Sequence, residues 1–412
     1  MEEKFEHDEY YEEWNTTINT LYQQNGRYLS IRYFLDLRYE FMQNYLYSAP
    51  KIIVLGLNIP EQLMYALSDE TVYVLGGSLY AANLSEQMVP RDTDSCIKSV
   101  LGILKSGIFK VDKETIVIVP ITCDSMRKIP ALLKDNMRVI TIEVPSTQYD
   151  KKLEDFWIDE IRDMVYKIKN VLNIKNSKDR IFSQIEQSKR AYKAFTDLDT
   201  YLMNDNEGIN GAMKMFIAQS YFWTSDKYTW TENVYGLINE MSIQRKYYYE
   251  EYRPRVLMIG SPIYAPNYKI PFLLEELGLD LKQCIHPLSV SLFENNNQGI
   301  AVTTAGAIKN VARESFFKDL SPAYVQNDVL SAYIRYYIEN YHFDGVVYHI
   351  LKGQIEYDFE LRRFEEYFEE YNIPVFRLET DYNYQDVEQL RIRLEAFSEM
   401  LQHRYKVLRQ GA

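Results

Sequence analysis

With 412 residues, 46% of them hydrophobic, the chain has the composition of a globular protein and is long enough for two or three hydrophobic cores. Its 59 acidic against 46 basic residues give a net charge of −13, which opposes sequence-independent binding to nucleic acid. No run approaches the roughly 18 apolar residues needed to cross a bilayer, and the acidic start Met1-Glu2-Glu3-Lys4-Phe5-Glu6 lacks the layout of a signal peptide, so a cytoplasmic protein is expected.

Residues 5–48 have the amphipathic pattern of helix, rich in Glu, Tyr, Leu and Arg. Short β-branched runs follow: Lys51–Leu55, Val72–Leu75, Thr115–Val119 and Val139–Val144. Continuous apolar runs of this length suit strands buried on both faces of a parallel sheet, with helices such as Asp94–Lys105 as crossovers. From about Asp150 to Tyr249 the pattern turns helical, with Ile181–Leu202 and Gly211–Phe222 apolar at helical spacing and a loop at Asn204–Gly208. A second α/β region opens with the strand Arg255–Ile259, the turn Gly260-Ser261-Pro262 and a helix over Ile270–Leu277. Ile300–Thr304, Gly345–Ile350 and Pro374–Glu379 read as further strands, and Asp386–Val407 as a final helix.

The expected fold class is therefore α/β, with two Rossmann-like domains of mostly parallel strands joined by a helical segment. The expected divisions are an N-terminal helical segment at 1–48, α/β domains at 49–150 and 251–412, and the helical linking region at 151–250. Sites in such folds form where strand C-termini face a crevice.

Several chemistries lack their signatures. There is no P-loop, and no G-x-G-x-x-G follows a strand. Gly76-Gly77-Ser78 is the nearest approach, and a plain turn explains it better than a phosphate cradle. Neither G-x-S-x-G nor H-E-x-x-H occurs. The cysteines Cys96, Cys123 and Cys284 are too few, and odd in number, for a disulfide framework.

Cys96 lies at a loop-to-helix junction with Asp94 as its expected N-cap, and Cys123 follows a strand in Pro120-Ile121-Thr122-Cys123-Asp124. Both positions open towards the expected crevice, where a helix N-terminus lowers a thiol's pKa. On spacing alone, two ordinary buried thiols describe them better than two metal ligands do.

Other residues carry competing readings. Glu61 suits substrate binding or deprotonation, or equally a carboxylate at the helix N-terminus after Pro60. Ser261 reads as a turn residue before a crevice residue, His349 as a hydrogen-bonded core histidine, and Cys284 as a buried thiol. Arg391, Arg393 and Glu395 suit structural ion pairs on the last helix.

A set of segments in fixed order resembles the 2-hydroxyacyl-CoA dehydratase / benzoyl-CoA reductase family. Ile59–Ala66 is similar to its P-x-E-L segment, Val89–Gly102 to its first cysteine loop, and Thr122-Cys123-Asp124 to its second. Gly345–Lys352 resembles the strand before its third cysteine, and Tyr371–Val375 its I-P-v bend. The ending Glu379-Thr380-Asp381-Tyr382 through Gln389–Leu401 resembles the family's C-terminal helix.

The resemblance implies a [4Fe–4S] cluster held by thiolates, Cys96 and Cys123 among them. It implies an ATP-dependent activator that delivers one low-potential electron, a homologous second subunit in a heterodimer, and an acyl-CoA substrate that passes through a ketyl-type radical. In such a dehydratase, an open iron acts as a Lewis acid on the substrate oxygen.

The sequence departs from the family at the third cysteine, where Gln354 stands. Three readings stay open. A cluster is completed by Gln354, His349 or water; the chain is a cluster-poor, non-catalytic subunit beside a fully ligated partner; or it is a divergent member with another role.

Overall fold

Short apolar strands frame the computed structural model, which describes residues 7–204, 208–244, 252–293, 301–320 and 324–410. Helices α1 (Asp8–Asn25) and α2 (Ile31–Tyr47) come first, so the N-terminal helical stretch is broken at Gly26. Then follow β1 (Ile52–Leu55), α3 (Glu61–Leu67), β2 (Thr71–Val74), α4 (Leu79–Leu84), α5 (Ser95–Lys105), β3 (Ile116–Ile121), α6 (Asp124–Leu133) and β4 (Arg138–Glu143). The middle of the chain is helical: α7 (Lys151–Val171), α8 (Lys178–Met203), α9 (Gly211–Ser220) and α10 (Lys227–Ile243).

The second α/β half holds β5 (Arg255–Gly260), α11 (Lys269–Glu276), β6 (Asp280–Ile285), α12 (Pro287–Ser291) and α13 (Thr304–Lys318). It is completed by α14 (Asp328–Asn340), β7 (Gly345–Leu351), α15 (Glu356–Glu370), β8 (Val375–Thr380) and α16 (Val387–Gln410).

The two sheets have the same plan. Strand order is β2-β1-β3-β4 in one and β6-β5-β7-β8 in the other, and every pairing is parallel. The described strands thus form two Rossmann-like units in a mixed α/β chain. Strands β1 and β3 are buried throughout, as the unbroken apolar runs require, whereas the edge strand β4 is mostly exposed.

One expected strand is absent and one strand was not foreseen. Ile300–Thr304 is not a strand: Thr303 caps α13, its side chain accepting from the Gly306 amide, and Ile300 itself lies outside the described residues. Strand β6, unforeseen, carries Cys284 as the expected buried thiol. Its polar residue Gln283 is 1% exposed and bonds to Lys214 (3.0 Å) and Asp199 (2.8 Å), which face it from α9 and α8. Lys214 also donates to Asp199 at 2.8 Å, so this strand is held by a buried ion pair from the linking helices.

The halves meet where β2 ends. Gly76 and Gly77 have φ of +96° and +97°, conformations that a side chain resists. A Cβ on Gly77 would lie 2.5 Å from the Ala265 carbonyl oxygen, across in the second half, and one on Gly76 would lie 3.2 Å from the Cys96 sulfur. The Ser78 amide donates to Ser99 Oγ at 3.0 Å. The paired glycines therefore serve close backbone packing.

Candidate functional site between the two sheets

The C-terminal ends of strands from both sheets surround one cavity of about 150 Å³. Gly56 and Asn58 come from the end of β1, Leu75 from β2, and Thr122 and Cys123 from β3. The second half adds Pro262 and Tyr264 after β5, Pro287 after β6, and Gln354 and Glu356 after β7. In each sheet the chain winds off in opposite directions from the central strand pair, so this is the crevice that a doubly wound topology opens to ligands.

Cys96 and Cys123 both line this cavity, with Gln354 opposite. The local causes differ. Asp94 caps α5, its carboxylate accepting from the Ile97 amide at 3.0 Å, and this sets Cys96 in the first helical turn. Cys123 is itself the N-cap of α6, its sulfur accepting from the Met126 amide at 3.5 Å. Gln354 is brought over by Gly353, whose backbone packs against Asp92 and Asp94. Its side chain bonds to the Asp94 carboxylate, while its Oε1 is buried without a partner.

The helix N-termini do not lower the thiol pKa values. Burial pushes both up, and neighbouring Asp94 adds to it; the amides at the start of α6 only partly offset this for Cys123. Desolvation outweighs the helix terminus because both sulfurs are largely withdrawn from solvent. The Cys96 thiol donates to the Leu75 carbonyl at 3.1 Å, and the Tyr382 hydroxyl, buried without an oxygen or nitrogen partner, lies beside it. Asp94 is pushed up to about 6 by burial, with help from Glu356.

The cavity wall is negative. The carboxyls of Asp94, Asp319 and Glu356 line it, and among the described residues no Lys, Arg or His does. A cationic guest suits such a wall and the phosphates of a nucleotide do not.

Glu61 stands elsewhere. It opens α3 and lines an adjoining cavity of about 50 Å³ with Tyr192 and Lys318; the two cavities share Leu57, Pro287 and Asp319. Its carboxyl accepts from Tyr192 and, at 3.1 Å, from Tyr221. Burial pushes it above the usual range, more than Tyr192 and the buried Lys227 draw it down.

Ser261 is a structural turn residue, its Oγ accepting from the Leu351 amide at 2.9 Å. His349 is a buried core residue, its Nδ1 3.0 Å from the Ser261 carbonyl oxygen. Arg391 pairs with Glu276 at 2.8 Å on the surface. Sequence reasoning did not single out Tyr382 or Glu356. The first stands in the Glu379–Tyr382 segment already noted, and the second is two residues beyond Gln354.

The donor set bears on an iron–sulfur group. Among the described residues, no three His, Cys, Asp or Glu side chains are arranged to hold a metal ion as they stand. A cluster spreads its ligands wider than a single ion does. Two sulfurs from one half face the unpartnered Gln354 oxygen and the Glu356 carboxylate from the other. Two thiols and two oxygen-bearing side chains are thus the donors this cavity offers an iron–sulfur group, short of an all-thiolate set.

The two parallel sheets, with both cysteine loops of the first half opening on the cavity between them, define a class of α/β protein, and the family model for 2-hydroxyglutaryl-CoA dehydratase, D-component, matches residues 56–401. The chain belongs to that family. One relative is the Escherichia coli (strain K12) protein named "Putative dehydratase subunit YjiM", 23% identical over 358 residues, which span 83% of this chain and 89% of the relative. No helix among the described residues is long and apolar enough to cross a membrane.

Proposed function

We propose that this chain is a subunit of a 2-hydroxyacyl-CoA dehydratase-type enzyme whose inter-sheet cavity holds an iron–sulfur cluster. Cys96 and Cys123 are its thiolate ligands, with an oxygen donor from the Gln354–Glu356 loop. The observation that carries this reading is the pair of thiols, one from the first turn of α5 and one from the end of β3, lining one cavity with an acidic wall. The cluster, when bound, supplies low-potential electron transfer to the substrate thioester and Lewis acidity at an open iron.

The chain's own residues prepare the place. The carboxylate wall favours a positively charged occupant and keeps CoA phosphates outside, so substrate enters thioester end first. To ligate, Cys96 gives up its proton and its bond to Leu75, and the Tyr382 hydroxyl is placed to donate to the thiolate instead. In the adjoining cavity, burial raises the proton affinity of Glu61, whose carboxyl two tyrosines orient. A homologous second subunit and an ATP-dependent activator belong to the same reading.

The test is anaerobic purification of the full chain with iron and sulfide analysis, beside Cys96→Ala and Cys123→Ala. Wild type should carry both elements and each variant should lose them. Iron that is absent from the wild type, or unchanged in both variants, refutes the assignment. One observation favours a second reading, a cluster-poor subunit: Gln354 stands where the third thiolate belongs. In that case all iron would copurify with the homologous partner and none with this chain.

A further inference from the structure

We infer that Glu356, and not Gln354, supplies the third protein ligand of the cluster, as a carboxylate oxygen in place of the missing thiolate. The inference rests on the function proposed above.

Three carboxylates line the cavity, and two of them are already engaged. Asp94 is bonded to the Ile97 and Cys96 amides and to the Gln354 side chain. Asp319 accepts from Asn58 at 2.7 Å and from Tyr324 at 2.9 Å. Glu356 has no side-chain donor and no ion pair among the described residues; its only bond is to its own backbone amide. It opens α15, where a two-methylene stem lets the carboxylate turn towards the thiols. Gln354 is the weaker candidate. Its amide is neutral, and its bond to Asp94 fixes the side chain in place. Carboxylates are established iron ligands, whereas a neutral amide is a poor one.

The positions are complementary. Cys96 and Cys123 approach from the first half, and Glu356 enters from the second at the same wall as Gln354. A shift of two residues, from a loop position to the first turn of a helix, moves the donor from Gln354 to Glu356 without moving the backbone.

The full chain, reconstituted anaerobically with ferrous iron and sulfide, tests this through iron content and the Mössbauer spectrum. Glu356→Gln should cost about tenfold or more in iron affinity, since the loss of even an outer-shell partner costs that much. Gln354→Ala should keep its iron. Glu356→Cys should keep iron and convert one oxygen-ligated iron site in the spectrum to a thiolate-like one. Wild-type iron and spectrum in Glu356→Gln overturn the ligand assignment and leave the function reading standing. Wild type without iron overturns the function reading, and the ligand assignment with it. Should Glu356→Gln fail to fold, as judged by its melting curve, an unchanged spectrum in Glu356→Cys overturns the assignment.

Discussion

Substituting Gly77 by Ala tests whether the close backbone packing of Gly77 on Ala265 holds the two halves together. The new Cβ would lie 2.5 Å from the Ala265 carbonyl oxygen and 2.6 Å from that of Tyr264. Neither acceptor sits on a flexible side-chain end, so the strands' loops must part. Overpacking of this kind costs about 1–3 kcal/mol, and the left-handed φ adds about 1–2 kcal/mol. The expected loss is therefore about 2–5 kcal/mol. Gly278→Ala is the control: φ is +70° there and nothing lies within 4 Å of its Cβ, so it bears the backbone term alone. Urea unfolding followed by fluorescence reads both midpoints and both slopes. Equal destabilisation of the two variants would refute the clash at Ala265, and the close contact of the halves would not matter to stability.

Two further outcomes follow from the buried charges. Asp199→Ala strands the Lys214 ammonium, whose side chain is 4% exposed, and should cost about 3–5 kcal/mol in urea unfolding; a loss under 1 kcal/mol would show that Gln283 and the Lys282 carbonyl suffice. His349 has its pKa lowered from 6.5 to about 4, chiefly by burial, so the unfolded state binds more protons between those values. Stability contributed by neutral His349 is thus intact above pH 6.5 and is lost as pH falls towards 4. The full effect is up to about 3 kcal/mol. His349→Gln should flatten that part of the stability–pH profile, and an identical slope in the variant would sink the argument.

Much of the frame was legible because a strand buried on both faces must be apolar at every position. Val117, Ile118 and Val119 in β3 leave no other reading. Strand β6 escaped notice for the opposite reason. Asp280, Lys282 and Gln283 are polar, and Gln283 is buried only because Asp199 and Lys214 reach it from helices far away in sequence. Ile300–Thr304 misled through its β-branched residues, which ignore that Thr303 is a good N-cap.

At the site, Asp94 announced the position of Cys96 locally, since a cap fixes the first turn. What lay hidden was tertiary: Tyr382 against Cys96, Glu356 lining the same cavity as both thiols, and enough burial to overcome the helix terminus. A short-range electrostatic rule cannot foresee how much water a remote loop will exclude.

The cavity lies on the seam between the two halves, with both thiols on one side and Gln354 and Glu356 on the other. Any occupant that grips both sides gains affinity only when the seam is shut, and by mass action it must hold the seam shut in return. Loading the site and clasping the two lobes are then one equilibrium viewed from two directions.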